Sequence, residues 1–258
     1  MPPTSFDFED QYTYLNGFGC HHESETLPGS LPVGMESPQQ PAYGLYAEKF
    51  SGTAFTAPRH ENQQFGYTAS CQLQPTVLGN RCQQGSTLST TGSVGFISVE
   101  ETRDPVVKSG LAIFVFAAGK DIDEHEAFYS ADGGMLIVPQ HGVLNSTTEF
   151  GRISLRANEI CVIPRGVRYR VSLPGGPVRG YICELYQANF QLPELGPIGS
   201  NGLANARDFQ APTAHYSKDA STWKVISKFN KRLFRMTQDH TPFDVVAWHG
   251  IITPTSMT

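Results

Sequence analysis

Residues 110–190 decide the fold, and they open with Leu111–Ala117 (LAIFVFA), a run of apolar side chains rich in aromatic and β-branched types. Met135–Pro139 (MLIVP) and Glu159–Pro164 (EICVIP) are two further runs of this kind. Shorter strand-like runs follow Gly or Pro turns at Gly151–Leu155, Arg168–Leu173 and Gly180–Tyr186. Strands at such short intervals, without a helical period between them, predict an antiparallel β-sandwich or barrel.

The whole chain divides into three segments around this core. Residues 1–62 are rich in Pro, Gly and Ser and predict a long irregular leader that drapes over the barrel. Residues 63–107 have low complexity and predict a long loop, a disordered stretch or a misannotated segment, with Val94–Val99 as a candidate strand. Residues 108–258 form the predicted β domain, in which Trp223–Phe229 and Arg232–Thr237 read as a hairpin around Asn230-Lys231.

Composition excludes several classes of function. The chain of 258 residues has a net charge of −5, and no run of Lys and Arg is longer than two, so a nucleic-acid partner is not expected. The longest apolar run is too short for a membrane span, and the acidic amino terminus does not resemble a signal peptide. The five cysteines form no CxxC pair, which favours reduced thiols and a cytoplasmic location.

A cupin barrel binds its metal through histidines and a glutamate on adjacent strands, and such a pattern would be visible in the sequence. None of the eight histidines forms an HxH or HExxH motif. The run 158–169 (NEICVIPRGVRY) matches the second cupin signature, but Tyr169 stands where the ligand histidine would be. The glutamate position falls on Met135, and the first histidine positions fall near Tyr129 and Ala131. The sequence therefore predicts a degenerate cupin-like domain, mainly all-β, without catalytic or metal-binding residues.

Eight stretches of the chain resemble homogentisate 1,2-dioxygenase, and they are long and specific to that family. They are Tyr14–Gly19, Leu27–Gly34, Leu45–Arg59, Leu136–Gln140, Thr148–Gly151, Asn158–Gly166, Leu195–Phe209 and Pro242–Gly250. Together they cover most of Tyr14–Arg59 and Gly110–Pro254.

The resemblance implies O₂-dependent cleavage of the homogentisate ring to maleylacetoacetate, in the breakdown of tyrosine and phenylalanine. It implies a non-haem Fe(II) held by two histidines and a glutamate. In the family these ligands belong to the carboxy-terminal domain, which begins after Trp248-His249-Gly250. We therefore expect this chain to be truncated before the iron site and inactive alone. The expected partners are homogentisate, O₂ and further copies, since the family forms trimers paired into hexamers.

One functional segment carries over from the family, where the part matching Phe50–Asn62 is a mobile loop near the active site. Its small residues suit a lid over the substrate path, and the lid residues are Phe50, Ser51, Gly52, Thr53, Ala54 and Phe55. A loop packed between subunits is an equal alternative. Residues 63–107 do not match the aromatic-rich segment that the family carries there.

Two readings compete with a piece of the dioxygenase. In one, the chain is a non-catalytic, cupin-like subunit that serves assembly or regulation beside an intact enzyme. In the other, it is the product of a misannotated transcript and does not fold stably, which a broad, non-cooperative melt would indicate.

Overall fold

The computed structural model of the chain describes residues 8–17, 22–31, 45–50, 55–57, 76–77, 88–90, 94–101, 105–187, 190, 208–250 and 255–257. Within these ranges lie twenty strands, a 3₁₀ turn at Pro105–Val107 and no α-helix, which confirms the all-β class. No helix in the described part of the chain is long and apolar enough to cross a membrane.

The strands are numbered in chain order. They are β1 (Tyr14–Asn16), β2 (His22–Glu25), β3 (Leu45–Lys49), β4 (Phe55–Ala57), β5 (Thr76–Val77), β6 (Leu88–Thr90), β7 (Val94–Glu101), β8 (Leu111–Ala118), β9 (Glu126–Ser130), β10 (Gly134–His141), β11 (Leu144–Thr148), β12 (Gly151–Leu155), β13 (Ile160–Ile163), β14 (Tyr169–Ser172), β15 (Val178–Leu185), β16 (Phe209–Pro212), β17 (Trp223–Phe229), β18 (Arg232–Gln238), β19 (Val245–Gly250) and β20 (Thr255–Met257).

Two large sheets form the sandwich. The nine-stranded sheet has the order β1-β16-β20-β13-β10-β15-β8-β7-β6, and the seven-stranded sheet has the order β12-β11-β14-β9-β17-β18-β5. Neighbouring strands run antiparallel except β9 and β17, which are parallel. One hydrophobic core includes Phe116 and Ile182 from the first sheet and Ile153 and Ile226 from the second, so the sheets pack face to face.

A third, four-stranded sheet, β2-β19-β3-β4, pairs strands of the leader with β19. β19 lies between β2 and β3 and pairs antiparallel with both. Its Trp248 is fully buried and donates from Nε1 to the carbonyl oxygen of Phe150, 2.9 Å away. The described parts of residues 1–62 are thus held by strands of the β domain.

Within residues 63–107 the structure describes three strands, one of which contains the candidate strand Val94–Val99. β7 extends over eight residues, Val94–Glu101, and pairs with the apolar strand β8 along most of its length. β5 and β6 add two short strands in the same segment, and the rest of it lies outside the described residues. The candidate strand Val94–Val99 is two residues shorter than β7, whose pairing continues through Glu100 and Glu101.

Candidate functional site

The position where a cupin would bind its metal is occupied by two uncharged side chains. Met135 on β10 and Tyr169 on β14 are about 5% exposed or less, and the Tyr169 hydroxyl donates to Met135 Sδ at 3.4 Å. The Phe128 ring packs edge-on against Tyr169, with centroids 5.6 Å apart. Burial raises the pKa of the Tyr169 phenol far above its ordinary value, so this hydroxyl stays protonated and acts as a donor.

On the neighbouring strand β9 the side chains that face the interior are those of Phe128 and Ser130, one position away from Tyr129 and Ala131. Phe128 lies opposite Tyr169 in the β9–β14 pairing, so their side chains share the inner face of the sheet. Tyr129, which was predicted to take a histidine position, therefore points to the other face. The residue that reaches the interior is Ser130, whose hydroxyl donates to the Glu184 carboxylate in a short contact.

A buried charged cluster lies beside the Met135–Tyr169 pair. Lys228 Nζ on β17 lies 2.6 Å from Asp132 Oδ2 and 2.8 Å from Glu184 Oε2. Glu184 is opposite Met135 in the β10–β15 pairing, which places its side chain inside the sandwich. All three charged residues are at most 5% exposed. We call Lys228, Asp132, Glu184 and Ser130 the buried cluster.

Burial and the neighbouring charges shift the pKa values of Glu184 and Lys228. Burial opposes ionisation of Glu184 and raises its pKa, although Lys228 and the Ser130 hydroxyl act against this. Burial also acts to lower the pKa of Lys228, but the Glu184 and Asp132 carboxylates outweigh it and the pKa of Lys228 is raised. The lysine therefore stays protonated as the countercharge of both carboxylates.

The buried cluster also fixes the β17–β18 hairpin. Asp132 Oδ1 accepts the backbone N–H of Asn230 at 2.6 Å, and Oδ2 accepts that of Lys231 at 3.2 Å. The Lys228 ammonium lies 6.0 Å from the Phe114 ring centroid and 5.6 Å from that of Tyr186. One carboxylate thus holds both the buried ammonium and the turn that follows it.

Sequence reasoning missed Glu184 and Lys228, although a signal for them exists. In the run Gly180–Tyr186, Glu184 occupies the same inward-facing alternation as Ile182. A charged residue at an inward position of an apolar strand needs a buried partner of opposite charge. The sequence does not say which lysine that partner is, because Lys228 lies 44 residues further along the chain.

The residues around this position do not suit ferrous iron. A thioether and a protonated phenol are poor replacements for imidazole and carboxylate, and Glu184 already binds Lys228 and Ser130. Among the residues that the structure describes, no group of three or more His, Cys, Asp or Glu side chains could hold a metal ion. The arrangement is a filled interior held by ion pairs.

The predicted lid is described at its two ends. Phe50 follows β3, and its ring stacks on Tyr216 with centroids 5.8 Å apart and planes 13° apart. Lys218 Nζ lies over the same ring, 4.9 Å from its centroid. Phe55 begins β4, where its backbone lies opposite Ala47 of β3. Ser51, Gly52, Thr53 and Ala54 lie outside the described residues.

Charged side chains and one backbone hydrogen bond hold the point where this segment leaves β3. Lys49 Nζ lies 3.7 Å from Glu149 Oε1 and 4.0 Å from Asp244 Oδ1. The backbone N–H of Phe50 donates to the Asp244 carbonyl oxygen at 2.7 Å. These contacts fix where the segment leaves β3.

Comparisons with known proteins give matches that cover almost the whole chain. A family model described as homogentisate 1,2-dioxygenase N-terminal matches residues 13–88 and 88–257. Homogentisate 1,2-dioxygenase of Emericella nidulans is 55% identical over 279 residues, which cover 97% of this chain and 61% of that relative. The Drosophila melanogaster enzyme of the same name is 45% identical over 274 residues, which cover 95% of this chain and 62% of that relative.

The chain thus spans about three fifths of the length of the curated relatives that it matches. Among solved structures, the cupin domain of Schizosaccharomyces pombe Cnp3 is 19% identical, with a TM-score of 0.31 over 36% of this chain and 61% of that chain. At that score the likeness adds no argument to the strand topology. The family match and the two relatives show that the chain belongs to the homogentisate 1,2-dioxygenase family and corresponds to its amino-terminal domain.

Proposed function

We propose that this chain forms the amino-terminal β-sandwich of an enzyme that cleaves the homogentisate ring with O₂ to give maleylacetoacetate. The observation that carries the proposal is the 55% identity to a homogentisate 1,2-dioxygenase across 97% of the chain. In this proposal the domain is a scaffold, and Fe(II) is held by the part of the enzyme that lies beyond the match. The filled interior around Met135 and Tyr169 supports this division of labour, because it offers iron no suitable ligands.

We also propose the partners, the assembly and the location of the complete enzyme. Homogentisate and O₂ are its small-molecule partners, and the complete protein assembles as trimers paired into hexamers in the cytoplasm. Family membership supports these statements.

A chimera tests the proposal. Residues 13–257 of this chain replace the matching part of the Emericella nidulans relative, and O₂ uptake is measured with Fe(II) and homogentisate. We expect uptake by the chimera and none by the chain alone, with iron bound only by the chimera. A folded, iron-loaded chimera that consumes no O₂ would contradict the proposal, as would one stoichiometric iron or homogentisate-dependent uptake in the chain alone.

The same preparation separates the scaffold from a non-catalytic assembly or regulatory subunit. The chain is mixed with the intact relative and passed over a sizing column. A subunit of that kind co-elutes with the intact enzyme, whereas a domain that replaces part of the enzyme does not.

For Phe50–Phe55 we propose a lid over the substrate path. The contacts of Phe50 with Tyr216 and of Lys49 with Glu149 support it, because a fixed root is what a moving segment needs. The variant Gly52→Pro stiffens the segment, so KM for homogentisate should change in the chimera while its iron content does not. If the segment instead packs between subunits, the variant changes the sedimentation coefficient and leaves KM unaltered.

A further inference from the structure

The buried cluster brings an amine and a carboxyl group into direct contact, with a second carboxyl group beside them. Lys228 Nζ on β17 lies 2.6 Å from Asp132 Oδ2, and Glu184 Oε2 on β15 lies 2.8 Å from the same nitrogen. Lys228 is 96 positions from Asp132 and 44 from Glu184 along the chain, so only the native pairing of strands assembles the three groups. An amine, a carboxyl group and a proton carrier are the groups that an amide bond between two side chains requires.

The amine is close enough to attack the Asp132 carboxyl carbon. With an ordinary C–O bond and a hydrogen-bond angle of about 120°, the 2.6 Å contact with Oδ2 places Nζ about 3.4 Å from Cγ. Reacting atoms held at about 3–3.5 Å correspond to an effective concentration of about 10⁵ M or more. Attack also needs Nζ above the plane of the carboxyl group, and rotation about the Cβ–Cγ bond of an aspartate is soft.

The surroundings of the three groups exclude water. Lys228 is 5%, Asp132 3% and Glu184 0% exposed. The rings of Phe114 and Tyr186 cover the ammonium, with centroids 6.0 and 5.6 Å from Nζ. A dry site protects an amide from hydrolysis, so condensation is favoured over its reverse once the released water has left.

Burial also makes the neutral amine accessible. In the resting ion pair the proton is on Nζ, and the reactive form is the one in which it has moved to Asp132 Oδ2. This transfer leaves the net charge of the buried cluster unchanged, so it needs no exchange with solvent. Removal of both charged groups from water weakens the preference for the ionised pair, and a desolvated lysine is a known type of nucleophile.

Glu184 and the β17–β18 turn supply the other two functions that condensation needs. Burial raises the pKa of Glu184, so its carboxylate accepts and returns a proton more readily than an exposed one. The backbone N–H of Asn230 donates to Asp132 Oδ1 at 2.6 Å, which is where negative charge develops when the amine adds to the carbon.

We propose that Lys228 and Asp132 condense in the folded chain to form an isopeptide bond, with Glu184 as the catalytic proton carrier. The bond joins the connection between β9 and β10 to β17 and closes a long loop. It therefore restricts the unfolded chain as a disulfide does, without depending on redox conditions. The inference goes beyond the proposed function and does not rest on it, because ring cleavage takes no part in it.

The step balances without any further reagent. The ammonium passes one proton to Asp132 Oδ2, and Nζ then bonds to Cγ while the carbonyl electron pair moves to Oδ1. Nζ gives a second proton to Glu184, which returns it to Oδ2. The Cγ–Oδ2 bond breaks, Oδ2 leaves as water with both protons, and the third proton stays on the amide nitrogen. The ion pair thus supplies every atom of the amide and the water, and Glu184 ends as it began.

Mass spectrometry of the chain and of the chimera, each denatured after purification, tests the bond. We expect an intact mass about 18 Da below that of the sequence, which is the loss of one water. After trypsin digestion the peptides 121–152 and 225–231 should appear as one linked species. Trypsin should leave the second peptide uncut at Lys228, because an acylated lysine is not a cleavage site.

One side reaction has the same mass and is separated by the peptides. Asp132 precedes Gly133, and an Asp-Gly pair can lose water to form a succinimide within one peptide. A loss of about 18 Da confined to peptide 121–152, with cleavage after Lys228 intact, assigns the loss to the succinimide and overturns the proposal.

Three variants define the roles of the groups. Lys228→Arg keeps a positive charge but offers no nucleophile at neutral pH, so it should keep the full mass. Glu184→Gln keeps the size of the side chain but cannot accept the proton, so the linked fraction at a fixed time after purification should fall about tenfold or more. Lys224→Met, at an exposed lysine of the same strand, is the matched control and should link as the parent does. An unchanged linked fraction in Glu184→Gln would contradict its catalytic role.

The outcomes keep the bond and the proposed function apart. A chimera that consumes O₂ but keeps its full mass overturns the bond and leaves the function standing. A linked chimera that consumes no O₂ supports the bond and contradicts the function. Circular dichroism shows whether the chain alone is folded, and a folded chain that keeps its full mass also overturns the bond.

Discussion

At the scale of single residues, Lys228 is the side chain whose loss should matter most for stability. Lys228→Met leaves the Asp132 and Glu184 carboxylates buried without their countercharge, which costs about 3–5 kcal/mol of unfolding free energy. Lys224→Met on the same strand is the matched control; Lys224 is exposed, so its change should stay within about 0.5 kcal/mol. Urea unfolding measures both. Adding Glu184→Gln to Lys228→Met should recover part of the loss, and a loss below about 1 kcal/mol in the single variant would contradict the role of the ion pairs.

The buried thiol of Cys161 should make the free energy of unfolding fall as the pH rises above 9. Burial raises the pKa of its thiol from 9.0 to about 12, so between these values the unfolded chain releases a proton that the folded chain keeps. The stability that the protonated thiol contributes is complete below pH 9 and is lost as the pH rises towards 12. The free energy of unfolding falls by about 1.4 kcal/mol per pH unit because of this group. Cys161→Ala should flatten the fall between pH 9 and 11 by that amount, measured by urea unfolding. Cys183→Ala, at a partly exposed thiol, is the control, and an equal flattening there would contradict the assignment.

At the scale of elements, the β17–β18 hairpin turns through two residues with positive φ, Asn230 at 49° and Lys231 at 62°. This is the type I′ geometry, for which Asn-Gly is the preferred pair. Lys231→Gly removes the strain of a side chain in the left-handed region and should stabilise the chain by about 0.5–1 kcal/mol in urea unfolding. Lys231→Pro should destabilise it, because proline cannot reach this φ and removes the N–H that Asp132 accepts. Destabilisation by both variants would contradict the turn geometry.

Long apolar runs were predictable from the sequence, and a strand with mostly polar inward residues was not. The hairpin Trp223–Phe229 and Arg232–Thr237 was predicted with its turn, and β18 ends one residue later than expected. β11 (Leu144–Thr148) was missed because Ser146 and Thr148 occupy its inward positions, where an apolar pattern would have been recognised. The buried cluster depends on pairing between distant strands, which no local pattern encodes.

At the scale of the whole molecule, the three sheets share one core, so they should unfold together. Ala47, Val245 and Trp248 of the four-stranded sheet belong to the same core as the two sheets of the sandwich. Trp223 lies in the seven-stranded sheet and Trp248 in the four-stranded sheet. The variants Trp223→Phe and Trp248→Phe therefore each keep a single tryptophan whose fluorescence follows one sheet. In each variant the fluorescence and circular dichroism melts should coincide in one sharp transition. A broad melt, or midpoints that differ between the two probes, would favour the reading that the product does not fold stably.

The pairing of β19 with β2 and β3 has a consequence for synthesis of the chain. β3 ends at Lys49 and β19 begins at Val245, so the leader strands leave the ribosome about 200 residues before their partner. At about 5–20 residues per second this delay is about 10–40 s, during which two strand edges stay open to pairing with other chains. Such non-local pairing is slow to form and prone to aggregation. The folding of this domain in the cell therefore depends on what shields the leader until Trp248 emerges.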